Sequence, residues 1–369
     1  MNRNKVVLVS ALTAAALGVA GLAAIAVPAG AGTQPSLPEV SAEELVTSAL
    51  STHPPALAGR IAVDNALGLP MIPGLPTQLG DGSSDVSVWY DGDGRSRVSL
   101  PNGAAERVIV DDGTTVWHWD SAERTVVKAQ HDADREPKAD TPFDPAAVAK
   151  EVLNLVRPTS VISVDGTALV AERPAYELVL APAPTERTLL REVRVAIDSE
   201  TRMPLRLVVL TNGTDEPVFS VGFEELTVGA QDAGLFTFTP PAGAEVTEDD
   251  QADRRGPGTG RDEGGPLANL AGPDLFGDGW DTVVLGTLPK DLFGGERGGE
   301  RGDDPDANRP GGPGFDPRAF LDRIGTPVSG DWGSGRLIST AVVSVVITDD
   351  GRVAAGAVPQ QVLVEALSR

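Results

Sequence analysis

The chain has no cysteine among its 369 residues. Disulfides, thiolate metal ligands, thiol catalysis and attachment of lipid to a cysteine are therefore excluded for this sequence. Histidine is nearly as scarce, with only His53, His118 and His131, and their spacing fits neither a metal site nor a catalytic triad. We expect no metal and no catalysis by histidine.

Basic residues are also in short supply, with 30 Lys and Arg against 53 Asp and Glu and a formal net charge of −23. Such a chain repels phosphates, which argues against a nucleic-acid partner and against simple docking on anionic lipid. The sequence also lacks a Walker loop, a dinucleotide fingerprint and a nucleophile elbow. We therefore expect a protein that is not an enzyme and carries no cofactor.

The N-terminal residues 1–31 have the composition of an export signal. Arg3 and Lys5 precede an apolar stretch from Val6 to Val27, and small residues follow at 29–31. This order is typical of a cleaved signal peptide. The apolar stretch is long for that role, so an uncleaved membrane anchor is the alternative. Both predict that the rest of the chain is extracytoplasmic, secreted or anchored in the cell envelope.

Short runs of alternating apolar and polar residues fill the region from Asp85 to Lys128, separated by turn sequences such as Asp91-Gly-Asp-Gly. This pattern predicts a meander of antiparallel strands, each with one buried face. The Asp-Gly sequences resemble calcium-loop fragments, but Arg95 and Asn102 stand where ligands are required, which favours hairpin turns. Five more strands are predicted between 159 and 228, with short helices at 42–52 and 144–157. The first helix is predicted to begin at a capping box, Ser41-Ala-Glu-Glu44. The predicted fold class is mainly β.

Composition divides the rest of the chain. The main domain is predicted at 41–247, followed by disordered linkers rich in Gly, Pro and charge at 248–278 and 294–314. The linkers flank an added strand at 279–293. A helix and a β-hairpin are predicted at 315–369, and the hairpin begins with a long strand from Arg336 to Thr348. Because 279–369 is too short of core to stand alone, it is expected to be an extension packing on the main sheet.

The candidate binding residues are apolar and lie in two places. A loop rich in Pro and Gly carries five of them: Leu67, Leu69, Met71, Ile72 and Leu75. Three tryptophans lie in the meander: Trp89, Trp117 and Trp119. Methionine and leucine on a flexible backbone suit variable apolar ligands, which favours a mobile flap. Permanent packing of these residues on the core is the alternative.

The order of these segments resembles the outer-membrane lipoprotein carrier family, with its LolA-like fold, over about residues 41–247. The resemblance depends on the aromatic strand Val88-Trp-Tyr90, on Val116-Trp-His-Trp119, on Met203-Pro-Leu205 and on Phe236 to Pro241. It resembles actinobacterial members with a C-terminal extension. The family's cavity arginine has two candidates here, Arg60 and Arg97.

The resemblance implies a curved antiparallel sheet, or incomplete β-barrel, with short helices on its concave face and an apolar cavity for acyl chains of lipid or lipoprotein. It also leaves an alternative open. Proteins of similar fold serve as envelope-stress regulators that bind a membrane-embedded anti-sigma factor. The expected function is therefore an exported lipid or lipoprotein carrier, or else such a regulator.

Overall fold

The computed structural model describes residues 35–68, 81–130, 153, 156–248, 271–288 and 317–369. These residues form two antiparallel sheets with one added parallel strand and a few short helices. The predicted mainly β class is confirmed. The predicted export signal, the linker at 294–314, His131 and most of the predicted helix at 144–157 lie outside the described residues. No helix in the described ranges is long and apolar enough to cross a membrane.

The larger sheet has twelve strands. They are β1 Leu57–Asn65, β2 Gly82–Tyr90, β3 Ser96–Asn102, β4 Ala105–Asp111, β5 Thr115–Asp120, β6 Thr125–Gln130, β7 Ser160–Val170, β8 Arg173–Pro182, β9 Leu190–Asp198, β10 Pro204–Thr211, β11 Phe219–Val228 and β12 Glu245–Glu248. Their spatial order is β12-β6-β5-β4-β3-β2-β1-β11-β10-β9-β8-β7. The first and last long strands thus meet in the middle, where β1 pairs with β11.

The larger sheet is strongly curled. Although three strands separate β7 from β11, Cα atoms of the two strands approach within 8 Å. Strands lie about 4.8 Å apart, so the same two strands in a flat sheet would be roughly 19 Å apart. The sheet nevertheless stays open, ending at β12 and β7, as an incomplete barrel does.

Hairpin turns within the meander use aspartate side chains in the way that the sequence predicts. Asp91 Oδ1 accepts hydrogen bonds from the backbone N–H groups of Asp93 (2.8 Å) and Arg95 (2.9 Å). Asp112 Oδ1 accepts from the backbone N–H of Thr115 at 2.8 Å. These carboxylates close tight turns, which is the ordinary role of Asp in such sequences.

Helix α1, Ala42–Ser51, packs on one end of this sheet. The Ser41 hydroxyl accepts from the backbone N–H of Glu44 at 3.1 Å, the cap that the sequence predicts. Leu45 is fully buried and forms a cluster with Tyr176 of β8 and Ile197 of β9. The helix therefore covers the strands at the β7 side of the sheet.

The C-terminal residues form a second sheet of their own. Its strands are β13 Ala271–Phe276, β14 Val283–Thr287, β15 Thr326–Gly330, β16 Gly333–Ser339, β17 Ser344–Thr348 and β18 Arg352–Gly356, in the order β13-β14-β18-β17-β16-β15. Two helices accompany it, α2 Pro317–Ile324 and α3 Gln360–Leu367. Val362 and Leu363 of α3 are buried against this sheet together with Trp332.

This second sheet differs from the predicted extension in three ways. Among the described strands it pairs only within itself, and α3 and its six strands form a core of their own that was not predicted. Strand β13 occupies 271–276, within the predicted linker, since it pairs with β14. The long strand predicted at 336–348 is divided, because Thr340 Oγ1 accepts from the backbone N–H of Val343 at 2.9 Å and closes a turn.

The second sheet docks on one end of the first. The carbonyl of Ala357 accepts from the backbone N–H of Leu189 at 2.9 Å. Trp280 Nε1 donates to Ser160 Oγ at 2.7 Å. On the other side, the backbone N–H of Ala341 donates to the carbonyl of Leu67 at 2.8 Å. The contacts fall where β7 and β9 begin and where β1 has ended, so they share one end of the curled sheet.

Candidate functional site

The register of the large sheet assigns its side chains to two faces, since residues paired across neighbouring strands point to the same side. One face carries two apolar rows that run across the strands. The first row contains Val164, Leu178, Val195, Leu207, Val221 and Val63, from β7 through to β1. The second contains Ile162, Leu180, Val193, Val209 and Phe219, from β7 to β11. We call this side the apolar face.

The apolar face is not sealed. Of the residues in the two rows only Val221 is buried, and all the others keep part of their surface exposed. Six of these partly exposed residues also pack against core clusters: Val63, Leu207, Phe219, Val164, Leu178 and Val195. Helix α1 packs over the β7 to β9 end through Leu45 and Ala49. The longer row crosses six strands, a strip roughly 24 Å long at the usual strand spacing. The strip is therefore both apolar and partly accessible.

The apolar face continues into β1 and β2. At Gly59 the backbone of β1 lies close to the Phe223 ring of β11. A Cβ on Gly59 would lie 2.6 Å from the Phe223 ring of β11. Only glycine leaves room for the ring there. Ile61 and Val86 pair next to it and extend the same face. The strip thus crosses the centre of the sheet.

The opposite face of the same strands is charged. Arg206 Nη2 lies 2.7 Å from Glu177 Oε1, and Arg194 lies 3.3 Å from Glu177 and 2.8 Å from Glu192. The hydrogen bond to Glu192 is the main cause that raises the pKa of Arg194, with partial burial opposing it. The sheet is therefore amphipathic, with apolar rows on one side and these ion pairs on the other.

The three predicted tryptophans share a face, but it is not the apolar one. Successive pairs across β2 to β5 connect Trp89 to Trp117 by way of Arg97 and Val110. Trp119 lies two residues after Trp117 in β5, so its side chain points to the same side. The register connects this side to the charged face. The structure therefore brings the tryptophans to one side of the meander and places them across the sheet from the two apolar rows.

Trp117 is held by its own neighbours. Its ring centroid lies 5.7 Å from that of Phe238, and Lys128 Nζ lies 5.8 Å above its ring. Its Nε1 donates to Asp112 Oδ2 at 3.3 Å. These contacts fix the indole against the segment that follows β11. His118 points to the other side, paired with Ile109.

Of the five predicted loop residues, only Leu67 is described. It is half-buried, its backbone N–H donates to Asn65 Oδ1 at 3.0 Å, and its carbonyl accepts from Ala341. It lies where the end of β1 meets the second sheet. The other four, Leu69, Met71, Ile72 and Leu75, lie outside the described residues.

The two arginine candidates lie on the charged side. Arg60 approaches Glu224 at 2.5 Å and Glu225 at 2.7 Å. Arg97 donates to the carbonyl of Leu235 at 3.4 Å. Neither arginine belongs to the apolar rows, so neither faces the strip described above.

Other features of the described chain offer little chemistry. No group of three or more His, Asp or Glu in these ranges is placed to hold a metal ion. An open depression of about 650 Å³ lies beside the start of α1, lined by Ser41, Glu44, Thr47 and Arg157 among others. Six of its seven lining residues are polar or charged in type, and none of them belongs to the two apolar rows.

The two apolar rows were not predicted as a site from the sequence, although the alternation of apolar residues that marks them is present there. Val193, Val195, Phe219 and Val221 alternate with other residues and predict a one-sided strand. What the alternation does not give is which strands neighbour one another. The rows become visible only once β9, β10 and β11 are placed in register.

No family model matches this chain, and no curated protein matches it. Among solved structures it is similar to the MucA/MucB complex of Pseudomonas aeruginosa, with 17% identity and a TM-score of 0.40 over 88% of this chain and 96% of that one. A LolA superfamily protein from Nitrosomonas europaea matches 54% of this chain and 99% of its own length, with 10% identity and a TM-score of 0.24.

A third similar structure is a putative outer membrane lipoprotein-sorting protein domain from Vibrio parahaemolyticus. It covers 52% of this chain and 95% of its own length at 8% identity, with a TM-score of 0.21. The LolA resemblance predicted from the sequence is thus confirmed as a resemblance. At these TM-scores the similarities carry no weight for function, which depends on the residues of this chain.

Proposed function

We propose that this protein is an exported, non-catalytic carrier that holds acyl chains of lipid or lipoprotein on its apolar face. One observation supports this function above all. Two continuous apolar rows cross β7 to β11, and ten of their eleven side chains remain partly exposed. Four of the eleven pack in none of the core clusters of the described residues: Ile162, Leu180, Val193 and Val209. Accessible apolar side chains that lie side by side are typical of a binding surface.

The physics of acyl binding suits a surface without polar groups. Each methylene buried contributes about 0.8 kcal/mol, so a chain of ~16 carbons supplies roughly 12 kcal/mol before ordering costs are subtracted. Branched side chains such as Val195 and Leu207 provide the contacts. The charged opposite face, with its paired arginines, keeps the loaded protein soluble.

A second candidate is a regulator of the cell envelope that binds a transmembrane anti-sigma factor. The separate C-terminal sheet favours it, since this sheet adds no residue to the two apolar rows. Its terminal strand β15 pairs only with β16 among the described strands, and most of its residues are exposed. A free strand edge is a common docking place for an extended peptide.

Leu207 and Val208 form a matched pair for testing the carrier. They are consecutive in β10, both partly exposed, and they point to opposite faces. We expect Leu207→Gln to weaken binding of an acyl ligand about tenfold or more, because it removes one large apolar contact. Val208→Gln should leave binding unchanged.

The measurement is native mass spectrometry of the protein purified from a host that contains membranes, followed by titration with a fluorescent fatty acid. Co-purifying lipid that Leu207→Gln loses and Val208→Gln retains supports the carrier. Absence of lipid from the unmodified protein, together with capture of a transmembrane anti-sigma protein, would favour the regulator. Equal loss in both variants would refute binding at the apolar face.

A further inference from the structure

The turn between β9 and β10 holds an arginine in an unusual backbone conformation. Arg202 has a φ of 62°, in the left-handed region that residues other than glycine seldom adopt. The turn is held by Asp198, whose Oδ1 accepts from the backbone N–H groups of Glu200 and Thr201, each at 2.8 Å. A strained residue that its surroundings hold in place is a recognised mark of a functional site.

The end of α1 is joined to this turn. Thr52, the residue after the helix, donates through Oγ1 to the carbonyl of Thr201 at 2.6 Å. The Arg202 guanidinium carbon lies 5.1 Å from the centroid of the Tyr176 ring. Tyr176 is buried with Leu45 and Ile197 on the apolar face. Arg202 therefore stands at the margin of that face.

The Arg202 side chain has an unused donor. Its Nη1 is buried and forms no hydrogen bond, while the residue as a whole is partly exposed, and no ion pair joins this guanidinium to an acidic side chain in the described part of the chain. Its neighbours differ in this respect, because Arg173 pairs with both Asp198 and Glu200. A buried donor without an acceptor is costly, and in a chain with 53 acidic residues the lack of a counter-ion is notable.

We propose that Arg202 binds the anionic head, a carboxylate or phosphate, of an acyl ligand whose chain lies along the apolar face. This inference rests on the carrier function proposed above. The Tyr176 ring lies against the Arg202 guanidinium in a cation–π contact. The planar N–H groups of the guanidinium match the geometry of an oxyanion. The row that starts at Tyr176 and Ile197 is adjacent to the one containing Leu178 and Val195, and Leu45 of α1 lies over both, so the chain follows this apolar path where α1 moves aside.

Arg124 offers a matched control. It too is an arginine in a hairpin turn with a positive φ, 54°. Its Nη2, however, donates to the carbonyl of Ala242 at 2.8 Å, so this guanidinium already has an acceptor. Arg124→Gln therefore changes the same chemistry at a site that the ligand does not reach.

The experiment measures binding of hexadecanoate, hexadecyl phosphate and hexadecanol to the full chain by calorimetry. The three probes share one chain length and differ only in the head. We expect the unmodified protein to bind one or both anions at least about tenfold more tightly than the alcohol, and Arg202→Gln to lose about ten- to a hundredfold for the anion alone. Arg202→Lys should restore part of the loss, and Arg124→Gln should behave as the unmodified protein.

The two anions decide between carboxylate and phosphate. If the unmodified protein binds all three probes equally, or if Arg202→Gln weakens the alcohol as much as the anions, the role of Arg202 is refuted while the carrier stands. If none of the probes binds, the carrier function fails and the inference fails with it. Circular dichroism of each variant shows whether the fold is retained.

Discussion

At the scale of single residues, Asp198 is the side chain on which the β9–β10 turn most depends. It is 1% exposed and accepts hydrogen bonds from the backbone at Glu200 and Thr201 and from the guanidinium of Arg173. Burial by itself would raise the pKa of Asp198. The hydrogen bonds from Arg173 and the backbone together outweigh it and lower the pKa.

This shift predicts the direction of a pH effect. Because the pKa of Asp198 is lower in the folded chain, its ionised form stabilises the fold above the unfolded pKa, near 4, and this contribution is lost as the pH falls through the folded value. We expect Asp198→Asn to lower the free energy of unfolding by about 3 kcal/mol at neutral pH, since it leaves the charge of Arg173 without its buried partner. The difference in the free energy of unfolding between Asp198→Asn and the unmodified protein should narrow below about pH 4.

Urea unfolding at several pH values measures both effects. Asp215→Asn is the control, because Asp215 is fully exposed and pairs with Arg191 only at the surface. That pair should contribute less than about 1 kcal/mol. Equal losses in the two variants, or a difference that stays constant down to pH 3, would contradict this account of Asp198.

At the scale of elements, what the sequence predicts is local. The cap at Ser41 and the turn at Asp91 are encoded within a few residues, and both appear in the structure. The pairing of β1 with β11 joins residues more than 150 positions apart, such as Arg60 and Glu225, and no local pattern specifies it. The apolar rows depend on that pairing and its neighbours, which is why the strands were predictable and the face was not.

The β1–β11 pairing has a testable steric requirement at Gly59. A Cβ there would lie 2.6 Å from Phe223 and 2.8 Å from the carbonyl oxygen of Glu225. We expect Gly59→Ala to destabilise the fold by roughly 1–3 kcal/mol through overpacking. Phe223→Leu should recover part of that loss in the double variant, because it relieves the ring contact but not the backbone one.

Urea denaturation of the single and double variants gives the coupling between the two sites. Coupling of more than about 0.5 kcal/mol is expected for side chains in direct contact. Strictly additive effects would mean that the Phe223 ring does not lie over Gly59.

At the scale of the whole molecule, the sequence did not predict that the C-terminal residues form a separate sheet with its own core. Composition at 248–278 favours a linker, yet β13 forms there because β14 offers it an edge. The sequence also contains the apolar residues of α3, such as Val362 and Leu363, but not the information that they pack on their own sheet. A core shared by segments on both sides of a long insertion cannot be recognised from local pattern alone.

The two sheets nevertheless meet through a small set of hydrogen bonds, and this makes their coupling measurable. Trp280 Nε1 donates to Ser160 Oγ at 2.7 Å, and Thr188 Oγ1 donates to the carbonyl of Ala357 at 2.6 Å. We expect Trp280→Phe to weaken the docking by about 1 kcal/mol, the contribution of one such hydrogen bond. The C-terminal sheet should then unfold at a lower temperature than the large sheet.

Calorimetry and hydrogen exchange distinguish this outcome from general destabilisation. Ser368→Ala is the control, because Ser368 Oγ donates to the carbonyl of Val364 within α3 and so lies inside one unit. Weaker docking should lower protection in β16 to β18 and leave β8 to β10 unchanged, because the second sheet has its own core and the first keeps all of its strand pairs. If protection falls equally in both sheets, the two sheets unfold as one cooperative unit. The expected separate unfolding of the C-terminal sheet would then be wrong.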